Sequence, residues 1–386
     1  MTRGVTGGGG YDRAGMGRIL MILRPDEGGA FEHVTQLSAG IARSGHEVAI
    51  CGLEGRPRED FGDVIPPEVE VLPLKMVRAV SPLPDAQGLA GLVASERRFR
   101  PDLVHAHGSK EAALGRLARG TRPRVPFAYT PHGYAFAKPF MTDAERRSYR
   151  RFERVLAPLA TLVICICEAE RRLAAQIGPA RRTRVVHNGI KPPPAGPSHP
   201  LTERLRERGP VVCALSGLRV GKGLETLIEA FAAVVAAHPD ASLVIAGEGP
   251  ERAALEELAE RSQIASSVHL IGEVTDVFEV LRGADVFVHP SWAESFPYAV
   301  LEAMASEVPA IATDVGGTGE AIESGESGVL VPPRDPAALS EAISGLIGDP
   351  GRAGALAAAA NRRFKERFTL ERMVEGTLEI YAELGI

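Results

Sequence analysis

The chain has 386 residues, 45% of them hydrophobic and 24% charged, with a formal net charge of −5 and a pI near 6.1. Such a length suits two or three domains, with ample chain for separate cores, and the slight acidic balance excludes a globally basic nucleic-acid binder. No run of 18 apolar residues occurs, which excludes a spanning helix.

The first sixteen residues are rich in glycine and lack an apolar core segment, so they read as a disordered tail rather than a secretory signal. From residue 17 onward short apolar runs alternate with helical patterns, the sequence form of a parallel sheet covered on both faces. Strands are predicted at 18–23, 47–51, 69–72, 103–106, 127–130, 162–166 and 184–186. Cys51, Cys165, Cys167 and Cys213 fall in apolar strand-like runs with no metal-ligand spacing, which fits core cysteines of a reducing compartment, the cytoplasm.

Chemistry-bearing residues gather at the ends of these runs. After the first comes Arg24-Pro-Asp-Glu-Gly-Gly-Ala, in which Gly28 and Gly29 either bring backbone close to a ligand or supply a turn that needs positive φ. His105 and His107 in Val-His-Ala-His-Gly-Ser-Lys, and His132 in Thr-Pro-His-Gly-Tyr, stand at two later strand ends. A buried, hydrogen-bonded role is expected for at least one of the first two. The spacing next predicts a helix over 143–157 that carries Arg146, Arg147, Arg150, Arg151 and Arg154 beside Tyr149, Phe152, Val155 and Leu156. It is either a patch for an anionic membrane or a phosphate-bearing acceptor, or a surface helix partly neutralised by Asp143, Glu145 and Glu153.

A stiff Pro-rich connector over 193–200 separates an N-terminal domain, 17–192, from a second domain, 201–368, and a final amphipathic helix closes the chain over 369–386. Strands resume at 211–215, 242–246, 268–271, 286–289 and 310–312. At the end of the first of these lies Ser-Gly-Leu-Arg-Val-Gly-Lys-Gly, 216–223. Its glycines and two cations, Arg219 and Lys222, suit a pyrophosphate. It is not a Walker loop, because the spacing is wrong and Gly223 replaces the hydroxyl residue.

The most informative stretch is His289 to Met304, His-Pro-Ser-Trp-Ala-Glu-Ser-Phe-Pro-Tyr-Ala-Val-Leu-Glu-Ala-Met. A buried strand leads into it, and Pro297, with Ser295 as the expected N-cap, opens a helix whose Leu301, Met304 and Ala305 share one face. Glu294 then lies on the turn and Glu302 inside the helix. The helix start offers unpaired N–H groups to an anion beside Ser295, Phe296 and Tyr298.

Glu294-x7-Glu302, with Ala-Asp-Val-Phe-Val-His-Pro-Ser before it and Val-Pro-Ala-Ile-Ala-Thr-Asp-Val-Gly-Gly after it, resembles the signature of retaining glycosyltransferases of family 4. The resemblance implies a GT-B fold, two Rossmann-like doubly wound α/β domains facing a cleft. It implies that Glu302 binds the ribose of a nucleotide-sugar and Glu294 the transferred sugar, with His132 beside that sugar. Donor contacts would also come from Gly28, Gly29, Arg219, Lys222 and the backbone near Val274, and from Ser295, Phe296 and Leu301. The donor would be a UDP- or GDP-sugar, and the acceptor a glycan or polyprenyl-linked glycan of the kind used for exopolysaccharide, reached by peripheral contact with the inner face of the membrane. Cys167 departs from the family, which often has serine there. No Asp-x-Asp stands near a strand end, so no metal or other cofactor is expected to be essential. Two rival readings stay open, a nucleotide-sugar 2-epimerase of the same fold and a non-catalytic binder.

Overall fold

A computed structural model describes residues 16–24, 28–77, 80–137 and 141–386. Most of the Gly-rich tail, part of the loop before Gly28 and residues 138–140 lie outside these. The described residues form thirteen strands: β1 (Arg18–Leu23), β2 (Glu47–Gly52), β3 (Val69–Pro73), β4 (Leu103–His107), β5 (Phe127–Thr130), β6 (Leu162–Cys165), β7 (Thr183–Val185), β8 (Val211–Leu215), β9 (Ser242–Ala246), β10 (Val268–Gly272), β11 (Val286–His289), β12 (Ala310–Thr313) and β13 (Val329–Val331).

Seven strands make one sheet in the order β3-β2-β1-β4-β5-β6-β7, and six make another in the order β10-β9-β8-β11-β12-β13. Every pairing described is parallel. Strands in such sheets are buried on both faces, which is why they read as continuous apolar runs instead of alternating ones. Ile19 to Leu23 and Val211 to Ala214 are wholly inaccessible. In each sheet the order reverses once, between β1 and β4 and between β8 and β11. A reversal of this kind opens a crevice at the carboxyl ends of the two strands, the usual ligand site of a doubly wound sheet.

By contact the chain divides into two compact units. One holds Met1–Tyr129, Leu159–Thr161 and Thr377–Ile386, and the other Thr130–Pro158 and Leu162–Gly376. Within the first, His33, His105 and His107 are all buried. The rings of His105 and His107 stand 4.1 Å apart, and His105 Nδ1 meets the Tyr381 hydroxyl at 2.6 Å. Burial, helped by His33, pushes His105 down to about 3, so it stays neutral and serves the core. Gly28 has φ 81, and an added Cβ would meet nothing within 4 Å. Its backbone angle, and not crowding by protein atoms, is what calls for glycine.

The second unit packs the six-stranded sheet between two apolar layers. Val211, Cys213 and Leu215 point into one, and Val212 and Ala214 into the other, the period-2 alternation of a strand. All four cysteines are free and buried. Burial raises each thiol, Cys51 to about 11 and Cys167 to about 12.

Candidate active site

The site lies in the second unit and follows from the reversal in its sheet. Because β8 and β11 are neighbours, the loop after Leu215 and the loop after His289 leave the sheet side by side. The two loops are laced together: Trp292 N–H donates to Gly221 O at 2.9 Å. A Cβ on Gly223 would lie 1.9 Å from Pro290 O, so only glycine lets the first loop pass. This contact delivers Lys222 Nζ to Glu294 Oε2 at 2.8 Å.

Glu294 is held from several sides. Ser295 N–H donates to Oε1 at 3.3 Å, the Ser291 hydroxyl lies 3.5 Å from Oε2, and His289 Nε2 lies 3.4 Å from the same oxygen. The histidine contact is long for a hydrogen bond, so the Lys222 ammonium at 2.8 Å is the stronger partner. Burial alone would raise the Glu294 carboxyl, but His289 and Lys222 outweigh it and hold the group well below the usual range. Glu294 is therefore a carboxylate throughout neutral pH, ready to accept hydrogen bonds from hydroxyls.

A cavity of about 210 Å³ opens beside it, lined by the polar residues His132, Tyr134, Glu170, Glu294 and Ser295 and by Gly133, Ala137, Ala169 and Leu173. The walls are fixed from behind. Glu320 accepts the N–H groups of Glu168 and Ala169 at 2.7 and 2.8 Å, and His187 Nε2 stands 3.0 Å from it. Asn188 Nδ2 donates to Phe296 O, and Cys167 Sγ to Ser295 O. Gly316, at φ 56, would place a Cβ 1.7 Å from Glu294 O, which explains the Gly-Gly pair after β12.

The structure thus joins Lys222 to Glu294, and Glu294, Ser295 and His132 to one cavity. Other expected residues sit differently. Gly28 and Gly29 belong to the first unit. Arg219 is exposed in the loop of Lys222, and Val274 packs partly buried beyond β10. Glu302 is half-buried in the second turn of its helix and does not line the cavity. The side chains of Phe296 and Leu301 are in the core, Phe296 packed against the rings of His187 and Phe368, so only their main chain could meet a ligand. Ser295 is not the N-cap. The helix is Tyr298–Ala305 with Pro297 as its cap residue, at φ −80 and ψ 121 and without a side-chain bond. Ser295 is drawn instead into the turn by Gly317, whose N–H donates to its carbonyl. Sequence reading gave no role to Glu170, His289 or Glu320.

The Arg-rich helix spans Asp143–Leu156 and begins with a capping box between Thr142 and Glu145. Arg147, Arg151 and Arg154 are exposed, as are Tyr149, Phe152 and Val155, whereas Glu153 is buried.

The sequence matches two family models, "Glycosyl transferase 4-like domain" over residues 28–189 and "Glycosyl transferases group 1" over 209–349. It is 30% identical over 390 residues to the D-inositol 3-phosphate glycosyltransferase of Rhodococcus jostii, covering 92% of this chain and 84% of that one. It is 28% identical over 384 residues to the glycogen synthase of Mycobacterium tuberculosis, covering 92% and 91%. Among solved structures, HepE of Anabaena in complex with UDP and glucose superposes with a TM-score of 0.80 at 22% identity, covering 95% of this chain and all of that one.

Proposed function

Because this chain belongs to the group 1 glycosyl transferases and has their GT-B fold, we propose that it moves a hexosyl group from a nucleoside diphosphate sugar to a glycan or lipid-linked glycan, retaining the anomeric configuration. The observation that carries this reading is the Lys222–Glu294 pair at the β8/β11 reversal, with His132 lining the same cavity as Glu294. The sugar's hydroxyls meet the Glu294 carboxylate and the turn of His132. The diphosphate lies toward Lys222, Arg219 and the uncapped N–H groups of helix Tyr298–Ala305, and Glu302 takes the ribose. The nucleotide-sugar occupies the domain over 201–368 and the acceptor the domain over 17–192. UDP- and GDP-sugars are the first donors to try, the former supported by the UDP bound to HepE.

In this reading retention proceeds without a covalent intermediate, which the Lys222–Glu294 pair supports because a carboxylate engaged by a cation is a poorer nucleophile. Glu294 is engaged by a cation, so the acceptor hydroxyl attacks from the face the diphosphate leaves. The bond from the anomeric carbon to the phosphate oxygen breaks as the new glycosidic bond forms, and the acceptor's proton passes to the departing phosphate. Fixed cations and a helix terminus balance the leaving group, so no divalent metal is required.

The test is a thermal-shift screen across UDP, GDP and ADP sugars, then NMR of products formed with and without chelator. Transfer with the donor's anomeric configuration, undiminished by chelator, is expected. Epimerised donor without transfer would refute the reading, and loss of turnover restored by a divalent ion would refute its metal independence.

A further inference from the structure

The turn after β5 is held in an unusual way. His132 has φ 53 and Gly133 φ 93, two successive left-handed residues at the cavity wall. Left-handed backbone at a non-glycine residue persists only where its surroundings over-determine it. On one side the turn runs close to Ser295, since a Cβ on Gly133 would lie 2.7 Å from Ser295 Oγ. On the other side is Glu170, 2% exposed. Its Oε1 accepts the Gly133 N–H at 2.6 Å and its Oε2 accepts the Ile166 N–H at 2.9 Å.

We propose that Glu170 is a positioning residue for sugar transfer, its carboxylate holding the His132–Gly133 turn at the width the cavity needs. The argument is one of donors and acceptors. Both groups facing Glu170 are main-chain N–H donors, so each of its oxygens must accept. A protonated acid or an amide would set a donor against one of them. The turn is therefore held in full only while Glu170 is ionised. Burial raises this carboxyl to about 7 against the pull of the two N–H groups, so the restraint weakens as pH falls through neutrality. The titratable and charged groups around it are the thiols of Cys165 and Cys167, Glu168 and Arg171 on its own helix, Glu320 at that helix's start, and His132 and Glu294 on the cavity walls. The thiols are held neutral by burial and Glu294 stays ionised, so neither sets a limb near pH 7.

This inference rests on the reading that His132 flanks the transferred sugar, and its test separates the two. Glu170→Gln keeps the shape and removes one acceptor. We expect kcat to fall about 10²-fold, the scale for a misplaced reacting geometry, with the KM for the nucleotide-sugar little changed. The wild type is expected to show an acid limb near pH 7, and the variant to lose it. In wild-type protein the Gly133 and Ile166 amide proton shifts should titrate together near pH 7, a measurement that needs neither turnover nor a variant. Amides that do not move together, or a folded Glu170→Gln with wild-type kcat and pH profile, would overturn the inference. A wild type inactive with every donor but showing coupled amides would instead overturn the transferase reading.

Discussion

In the proposed reaction, removing the Lys222 ammonium does two things at once, because it takes a cation from the leaving diphosphate and a partner from a shielded carboxylate. Lys222→Ala should lower kcat/KM by roughly 10²- to 10³-fold, the scale of losing one preorganised electrostatic contact. Without Lys222 the Glu294 carboxyl keeps its burial but loses its nearest cation, so its pKa moves upward. Steady-state rates check the fall in kcat/KM, and near-normal turnover would remove Lys222 from the site. Lys222 and Glu294 could each be read from sequence, since a strand end and glycines flank the first, and a strand end and a helix start the second. Their pairing could not, for they stand 72 residues apart and meet through main-chain lacing of two loops. Glu170 was illegible for a related reason: its partners are backbone N–H groups, which every residue but proline carries.

At the scale of elements, the Arg-rich helix gains meaning from its exposure. Tyr149, Phe152 and Val155, three residues apart, make one exposed apolar edge, 41%, 47% and 68% accessible. Arg147, Arg151 and Arg154 are exposed on the same helix, and the burial of Glu153 leaves them less balanced than the charge count implies. A helix with an aromatic edge and a basic edge suits an anionic lipid surface, each arginine contributing about 1 kcal/mol. Cosedimentation with anionic vesicles at low salt should be clear, should fall at high salt, and should be lost in the Arg147→Glu, Arg151→Glu double variant. Equal behaviour with neutral vesicles would reduce this helix to a solvated face. Element ends were less legible than element identities. The three residues of β13 between Gly328 and Pro332 are too few to show a period, and the start at Tyr298 was missed because Gly317 claims the carbonyl of Ser295 from far along the chain.

For the whole molecule, doubly buried parallel strands leave the plainest trace, a run such as Arg-Ile-Leu-Met-Ile-Leu or Val-Val-Cys-Ala-Leu, and twelve of the thirteen described strands were predicted within a residue or two of their ends. Strand order leaves no such trace, and neither does the way contacts gather into units, since both depend on which runs meet in space. No helix among the described residues is long and apolar enough to cross a membrane.

The burial of all four thiols gives the protein a clock of its own. An alkylating reagent can reach them only through opening, and the sulfurs report on different parts, Cys51 on the first unit and Cys165, Cys167 and Cys213 on the second. A ligand that binds the closed form slows modification by the factor 1 + [L]/Kd. If the donor belongs to the second unit, a true nucleotide-sugar should protect Cys213 more than Cys51, and peptide mass spectrometry would rank candidate donors before any acceptor is known. Equal protection at both positions would mean that the two units open as one.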